Sequence, residues 1–347
     1  MCLILTGAVL TGGCRQSGSD VSAAPGKSDW AISETSRRRL ISQPRVLSVE
    51  RWNGDFGIVV STDHYRVFTT ETDPLFLERL PVFLEAVHGA YQDMLGYRLK
   101  NPKTLDIYHF ASREQWEDFT EQITGSSWPV YKNINRGAYY LNGICVSYNI
   151  GRTETLSVLA HEGWHQFSRT YFEYALPSWL DEGLAMQFES FEFENGRYIF
   201  NPSRNINRLA ALKISLQNYY RGRGGFFTIG ELISLNPAQV IIHKNQQLTG
   251  SYYASVYALV RFLREHDFGR YRKDFTDMLN DGMLGKWPID DNAAETLSNK
   301  DGSVSSQWNS EFAGKLFERY FDIDGEKLSV DYFNFCNGLT ANIRLSR

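Results

Sequence analysis

His161-Glu162-Gly163-Trp164-His165, followed downstream by Trp179-Leu180-Asp181-Glu182-Gly183-Leu184-Ala185, is the stretch that decides how this chain is read. Two histidines four apart on a helix project from one face, with Cβ atoms about 5–6 Å apart. Both imidazoles then reach one metal ion. The carboxylate between them aims at the ion's open side without binding it, which is the H-E-x-x-H arrangement of zinc hydrolases. After sixteen intervening residues beyond His165, Glu182 arrives on a second helix as a candidate third ligand.

Working outward, the pattern is helical from Thr153. Thr153 reads as the N-cap, with Glu154 serving the cap in the first turn. Leu156, Leu159, Ala160, Gly163 and Phe167 share one side of this helix, and Val158, His161 and His165 another. Pro177 suits the first turn of a helix running from Trp179 to Glu189. Upstream, Phe56-Gly57-Ile58-Val59-Val60 and Tyr65-Arg66-Val67-Phe68 read as strands. Residues 74–95 follow a 3.6 period through Leu75, Leu80, Phe83, Leu84, Val87 and Tyr91. Leu105 to Phe110 alternates as a strand, and Ser112 with Glu114 opens a helix to Ile123. Gly137 to Tyr148 reads as strand, bent at Asn142-Gly143. Further helices are expected near 205–219, 229–235, 252–266 and 308–320, with a polar break from Ser298 to Ser306.

The expected fold class is α+β: a small N-terminal mixed sheet with helices, then a mainly helical part, with the H-E-x-x-H helix between them. The expected divisions are a signal or lipobox at 1–14, a flexible linker at 15–45, an α/β part at 46–150, a helical metal-site part at 151–285 and a C-terminal extension at 286–347.

The chain has 347 residues, 42% of them hydrophobic, 22% charged and 14% aromatic, which is ordinary for a globular protein. Its 36 basic and 40 acidic residues leave a net charge of −4, without the basic excess of a nucleic-acid binder. The run Arg37-Arg38-Arg39 reads as solvated linker. Cys2 to Leu10 is apolar but shorter than the roughly 20 residues that span a bilayer. Thr11-Gly12-Gly13-Cys14 is similar to the lipobox of bacterial lipoproteins, with Cys14 as the lipid-anchored residue and a Ser/Gly/Ala-rich spacer behind it. A plain cleaved signal is the other reading. With Cys2 and Cys14 set aside, Cys145 and Cys336 remain, either paired or as two separate buried thiols. No C-x-x-C spacing exists, which excludes a cysteine zinc site.

Catalytic zinc takes three protein ligands and keeps a fourth position for water. His161, His165 and Glu182 supply three, and one Zn²⁺ per chain is the expected cofactor. The residual positive charge lowers the pKa of a bound water to about 7. Glu162 is the general base that accepts its proton and passes it to the leaving amine. Asp181 points about 100° around the helix from Glu182, and Glu189, nearly two turns on, is expected elsewhere. Gly163 costs its helix about 1 kcal/mol relative to Ala; close approach of the second helix is the reading offered for it. Trp164 reads as core packing, with a substrate-side role as the alternative.

His161-Glu162-x-x-His165 with Glu182 in Leu180-Asp181-Glu182-Gly183-Leu184-Ala185 resembles the gluzincin metallopeptidases, most nearly the bacterial peptidase-MA-like proteins grouped as DUF1570. Tyr253-Ala254-Ser255-Val256-Tyr257-Ala258-Leu259-Val260-Arg261-Phe262-Leu263 resembles the helix that follows the site in them, so the resemblance covers about residues 137–265. It implies that Tyr253, at the start of that helix, donates a hydrogen bond to the tetrahedral oxyanion; packing is the competing reading. It also implies that the strand around Gly137-Ala138-Tyr139-Tyr140 pairs with an extended substrate backbone, against the reading of an ordinary sheet strand. Aminopeptidases of this clan carry an acidic residue there to hold a free amine. This chain has Tyr140, Leu141 and Asn142, which points to endopeptidase action.

The expected function is therefore a zinc metallopeptidase acting on a peptide or protein substrate, tethered to or exported into the bacterial cell envelope. A non-catalytic envelope lipoprotein, acting as a binding or assembly module on the same fold, is the alternative. Hydrolysis of a non-peptide amide at the same metal is a third reading.

Overall fold

The computed structural model describes residues 33–43, 45–52, 57–96, 98–134, 137–235, 240, 246–299, 306–321 and 325–345. The leader with Cys2 and Cys14 lies outside the described residues. A first helix, α1 (Glu34–Ile41), precedes three strands, β1 (Val46–Trp52), β2 (Gly57–Thr62) and β3 (Tyr65–Thr69). Then come α2 (Pro74–Leu95), β4 (Leu105–Phe110), α3 (Arg113–Thr124), the single turn α4 (Trp128–Tyr131), β5 (Ala138–Leu141) and β6 (Ile144–Tyr148). The helical part holds α5 (Arg152–Tyr171), α6 (Ser178–Ala185), a hairpin of β7 (Phe191–Glu194) and β8 (Arg197–Phe200), α7 (Ile206–Tyr220), α8 (Ile229–Ser234) and α9 (Gln246–Glu265). It closes with α10 (Arg272–Met283), α11 (Asp291–Ser298), α12 (Ser306–Tyr320) and α13 (Gly325–Thr340). The chain is thus mixed α+β, a small N-terminal sheet followed by helices. No helix among the described residues is long and apolar enough to cross a membrane.

The sheet runs β1-β2-β3-β4-β6-β5. β1, β2 and β3 form an antiparallel meander, β3, β4 and β6 are parallel, and β5 returns antiparallel to β6 at the edge. Parallel neighbours need helical crossovers, and α2 and α3 supply them. Both faces of the sheet are consequently covered. Tyr65, Val67, Leu105, Ile107 and Cys145 belong to the main core with α2 and α5, while Phe110, Val146 and Tyr148 join Trp116 of α3 on the other side. Cys145 and Val146 are neighbours in sequence and face opposite ways, as strand geometry requires. The β5–β6 turn has Asn142 and Gly143 both at positive φ (47° and 90°). That is the two-residue hairpin expected from Asn-Gly.

The helix α2 and strand β4 fall where the sequence places them, and Ser112 caps α3 through Gln115 N. Four expectations are corrected. The stretch taken as linker ends in α1, whose Leu40 is buried in the main core; Arg37 bonds Val49 O and Arg39 pairs with Glu78. Thr153 is not the cap of α5: Gly151 is, at φ 111°, so the cap lies two residues earlier and the helix starts at Arg152. Helix α6 ends at Ala185 rather than continuing to Glu189. The segment after 286 is no appendage, because it packs into the same core: Tyr332 Oη donates to Ser255 O, Leu297 O accepts from Ala175 N, and Phe317 stacks edge-on against Trp179. Cys145 and Cys336 are separate buried thiols.

Two glycines set helix spacing. A Cβ on Gly163 would meet Tyr91 Oη at 2.7 Å. The close neighbour is thus α2, not the second helix, and the Tyr91 hydroxyl bonds Ala160 O at 2.5 Å. The tight approach by the second helix occurs at Gly183 instead. A Cβ there would lie 2.5 Å from Val260 Cγ2 and 2.8 Å from the Val256 carbonyl of α9. A backbone carbonyl cannot swing away, so Gly183→Ala must push α6 from α9, at about 1–3 kcal/mol. Gly250, on α9, has open space around its Cα, and Gly250→Ala should stabilise by up to about 1 kcal/mol. Urea unfolding of both variants checks this; shifts in the same direction would contradict the packing described.

Candidate metal centre

Helices α5 and α6 bring His161, His165 and Glu182 together. One donor atom from each lies within 4.8 Å of the others, and all three side chains are buried. His161 Nε2 is 3.4 Å from Glu182 Oε2, and His165 Nε2 is 3.9 Å from Glu182 Oε1. Tetrahedral ligands on a zinc ion at 2.0–2.1 Å stand about 3.3 Å apart. Both His–Glu separations lie near that value, and the three residues form a group that could hold a metal ion.

The outer nitrogens explain why the inner ones face each other. His161 Nδ1 bonds Glu189 Oε1 at 2.8 Å. His165 Nδ1 lies 3.1 Å from Asp181 Oδ2, at ion-pair distance though not aligned as a good hydrogen bond. A carboxylate on Nδ1 holds the proton there and leaves the Nε2 lone pair for a metal. The carboxylates are themselves held. Arg208 of α7 bonds both Glu189 oxygens, at 2.9 and 2.6 Å, and Asn205 Nδ2 adds a third bond at 2.8 Å. Asp181 Oδ1 accepts from Trp164 Nε1 at 3.0 Å and Ser168 Oγ at 3.1 Å. Trp164 thus packs in the core, as expected, and also ties α5 to α6.

Glu189 is the clearest residue that sequence reasoning misplaced. A continuous helix would have carried it away from the motif. Because α6 stops at Ala185, the chain reverses and returns Glu189 to His161. Asp181 does point away from Glu182, and that direction is what takes it to His165. Arg208 and Asn205 carried no local signal, since they meet the site only through tertiary packing.

The carboxylates set the electrostatics of the two imidazoles. Burial alone would lower the His161 pKa, but Glu182 and Glu189 override it and hold the imidazolium up to about 10. Burial would raise Glu189; Arg208 and His161 instead keep it well below the usual carboxylate range. Asp181 is likewise held low against burial, by His165 and then Arg169. The ionised Glu189 and Asp181 favour positive charge at the two rings, whether a proton or a metal ion in its place.

Glu162 behaves differently. Burial pushes it up to about 7, opposed by His165 and His161. The backbone amide of Tyr140, on β5, hydrogen-bonds its carboxylate. Leu141 and Ile144 close the two-residue turn and form a hydrogen-bonded pair, so the alternate residue Tyr140 turns its backbone groups away from β6, toward the free edge. The base candidate, the two imidazoles and an edge strand therefore meet at one place.

Tyr253 is not at the start of its helix. It sits two turns into α9, buried, with the Arg208 guanidinium 5.7 Å from its ring centre. Glu154 lies in the first turn of α5, away from the donor cluster. No family model matches the chain, and no curated protein sequence matches it.

The Glu189–Arg208 pair generates a stability test. Removing one partner of a buried ion pair strands the other charge, at about 3–5 kcal/mol. Arg208→Met should destabilise the metal-free protein by that amount in urea. Adding Glu189→Gln should return at least about 1 kcal/mol; a double variant no more stable than the single one would contradict the pairing.

Proposed function

We propose that this chain is a zinc-dependent metallopeptidase of gluzincin type, acting on peptide or protein substrates in the bacterial cell envelope. One observation carries the reading: three buried donors converge with Glu162 beside them, against the edge of β5. The zinc assignment rests on the donor set, two imidazoles and one carboxylate, which is a catalytic-zinc combination.

When bound, zinc supplies the Lewis acidity that polarises a carbonyl and acidifies water. The chain's own residues supply the rest. Glu162, with its affinity for a proton raised by burial, takes the proton from the attacking water and delivers it to the departing amine nitrogen. Glu189 and Asp181 keep both imidazoles oriented through the cycle. The outward-facing backbone of β5 offers hydrogen bonds to an extended peptide. No acidic side chain stands at Tyr140, Leu141 or Asn142 to hold a free amino terminus, which favours endopeptidase action. Tyr253 is the candidate oxyanion donor, its ring positioned by Arg208.

A second reading, a non-catalytic lipoprotein that uses the metal to hold a binding fold together, draws on one observation. His161, Glu162, His165 and Glu182 are only 1–3% exposed, and structural zinc sites are closed. Glu162 separates the two readings. Glu162→Gln should retain one equivalent of zinc while lowering cleavage of a peptide library by at least about 10²-fold. Equal cleavage by the variant, or zinc-loaded wild type that cleaves nothing, would remove the peptidase assignment.

Tyr253→Phe should lower kcat by about 10²-fold with KM and zinc content little changed, the signature of a lost transition-state hydrogen bond. An unchanged kcat would leave Tyr253 as packing for Arg208.

A further inference from the structure

A cleft of about 950 Å³ opens between α2, the β7–β8 hairpin, the 201–203 turn and the facing ends of α9 and α10. It is not part of the metal centre: none of His161, Glu162, His165 and Glu182 lines it. Its size lies in the range of small-molecule sites. Its charges are distributed in an unusual way.

Three carboxylates line the cleft, and each is engaged by a cation or donor set back from it. Glu85 accepts from His64 Nδ1 at 2.7 Å and Thr62 Oγ1 at 2.6 Å. Asp93 pairs with Arg98 at 2.7 Å. Glu265 takes both arms of Arg261, at 2.9 and 2.6 Å. Four guanidiniums also line it: Arg45, Arg197, Arg264 and Arg272. Arg45 pairs with Asp63. Arg197, Arg264 and Arg272 have no ion pair among the described residues.

Arg264 is the telling one. It is half-buried, and its guanidinium has no hydrogen-bond acceptor among the described residues. Arg272 reaches across to its helix end and donates to the Arg264 backbone carbonyl at 3.0 Å, so a second guanidinium lines the same end of the cleft. Burial lowers the Arg264 pKa; the neighbouring Glu265 carboxylate opposes that, and Arg272 and Arg261 add to the lowering. A partly desolvated guanidinium with no ion-pair partner is costly unless an anion meets it. Across the cleft the hairpin contributes Arg197, with Tyr198 and Phe200 forming an aromatic wall.

We propose that this cleft is a binding site for a small polyanion, one that carries phosphate or carboxylate groups for Arg264, Arg272 and Arg197 to clasp. Guanidinium forks match both groups in bidentate fashion. The site stands apart from the metal chemistry and does not depend on the peptidase assignment.

Thermal melting and calorimetric titration of the full chain with tripolyphosphate and, separately, citrate test it, at constant ionic strength set with NaCl. At least one probe should raise the melting temperature by several degrees, and Arg264→Gln and Arg272→Gln should each weaken its binding at least tenfold. A response to tripolyphosphate alone assigns phosphate as the recognised group; a response to citrate alone assigns carboxylate. Both probes also chelate divalent metal, an effect common to wild type and variant, so the difference between the two proteins is the readout. Without ligand, Arg264→Gln should be no less stable than wild type, because it removes a partly desolvated charge that has no ion-pair partner. Arg197→Gln, on the exposed hairpin, gives an independent weakening. No response beyond the NaCl control, or wild-type affinity in both Arg264→Gln and Arg272→Gln, would overturn the proposal.

Discussion

The site depends on what happens at the far side of two imidazole rings. His161 Nδ1 is bound to Glu189, and His165 Nδ1 faces Asp181. Those contacts decide which nitrogen carries the proton, how each ring is turned, and hence where the two Nε2 lone pairs converge. Without them, two histidines four apart on a helix are only neighbours. With them, the rings are locked against Glu182 at separations that suit one metal ion. Outer contacts of this kind typically govern metal affinity by about 10–100-fold.

Much of the surrounding structure exists to hold those carboxylates. Gly183 lets α6 press against the backbone of α9, which fixes the height of Glu182 and Asp181. Trp164, at the centre of the motif, anchors Asp181 from α5. The early end of α6 frees the chain to turn back, and α7 meets Glu189 there with Arg208 and Asn205. Tyr253 stacks behind Arg208 from α9. The C-terminal helices then close over α9, with Tyr332 on Ser255. A site that looks local in sequence is thus braced by elements from α2 to α13.

The donors were legible because helix periodicity is local: His161 and His165 had to share a face, and a Glu on the next helix was the natural third ligand. The strands β2 to β6 and helices α2 and α3 were legible for the same reason, from alternation, a 3.6 period and the Ser112 cap. What was not legible depends on where chains stop. Nothing near Ala185 marks an end strongly enough to show that α6 is short, so Glu189 was misplaced. Gly163 and Gly183 look alike in sequence, yet only coordinates tell which helix each admits. Tyr253 stands at a helix start only by the resemblance; the helix already runs through Gln246-Gln247-Leu248. Arg264 and its cleft are assembled from five separated segments, which no window of sequence displays.

The central claim is that His161, His165 and Glu182 hold one zinc ion and that Glu189 and Asp181 orient the rings. Zinc-edge X-ray absorption on the protein loaded with one equivalent of metal tests it most directly. The account requires two imidazole nitrogens and at least one oxygen at about 2.0–2.1 Å with no sulfur, and loss of one imidazole shell in His161→Ala and in His165→Ala. A sulfur ligand, a shell of water alone, or a spectrum unchanged in both histidine variants would contradict it.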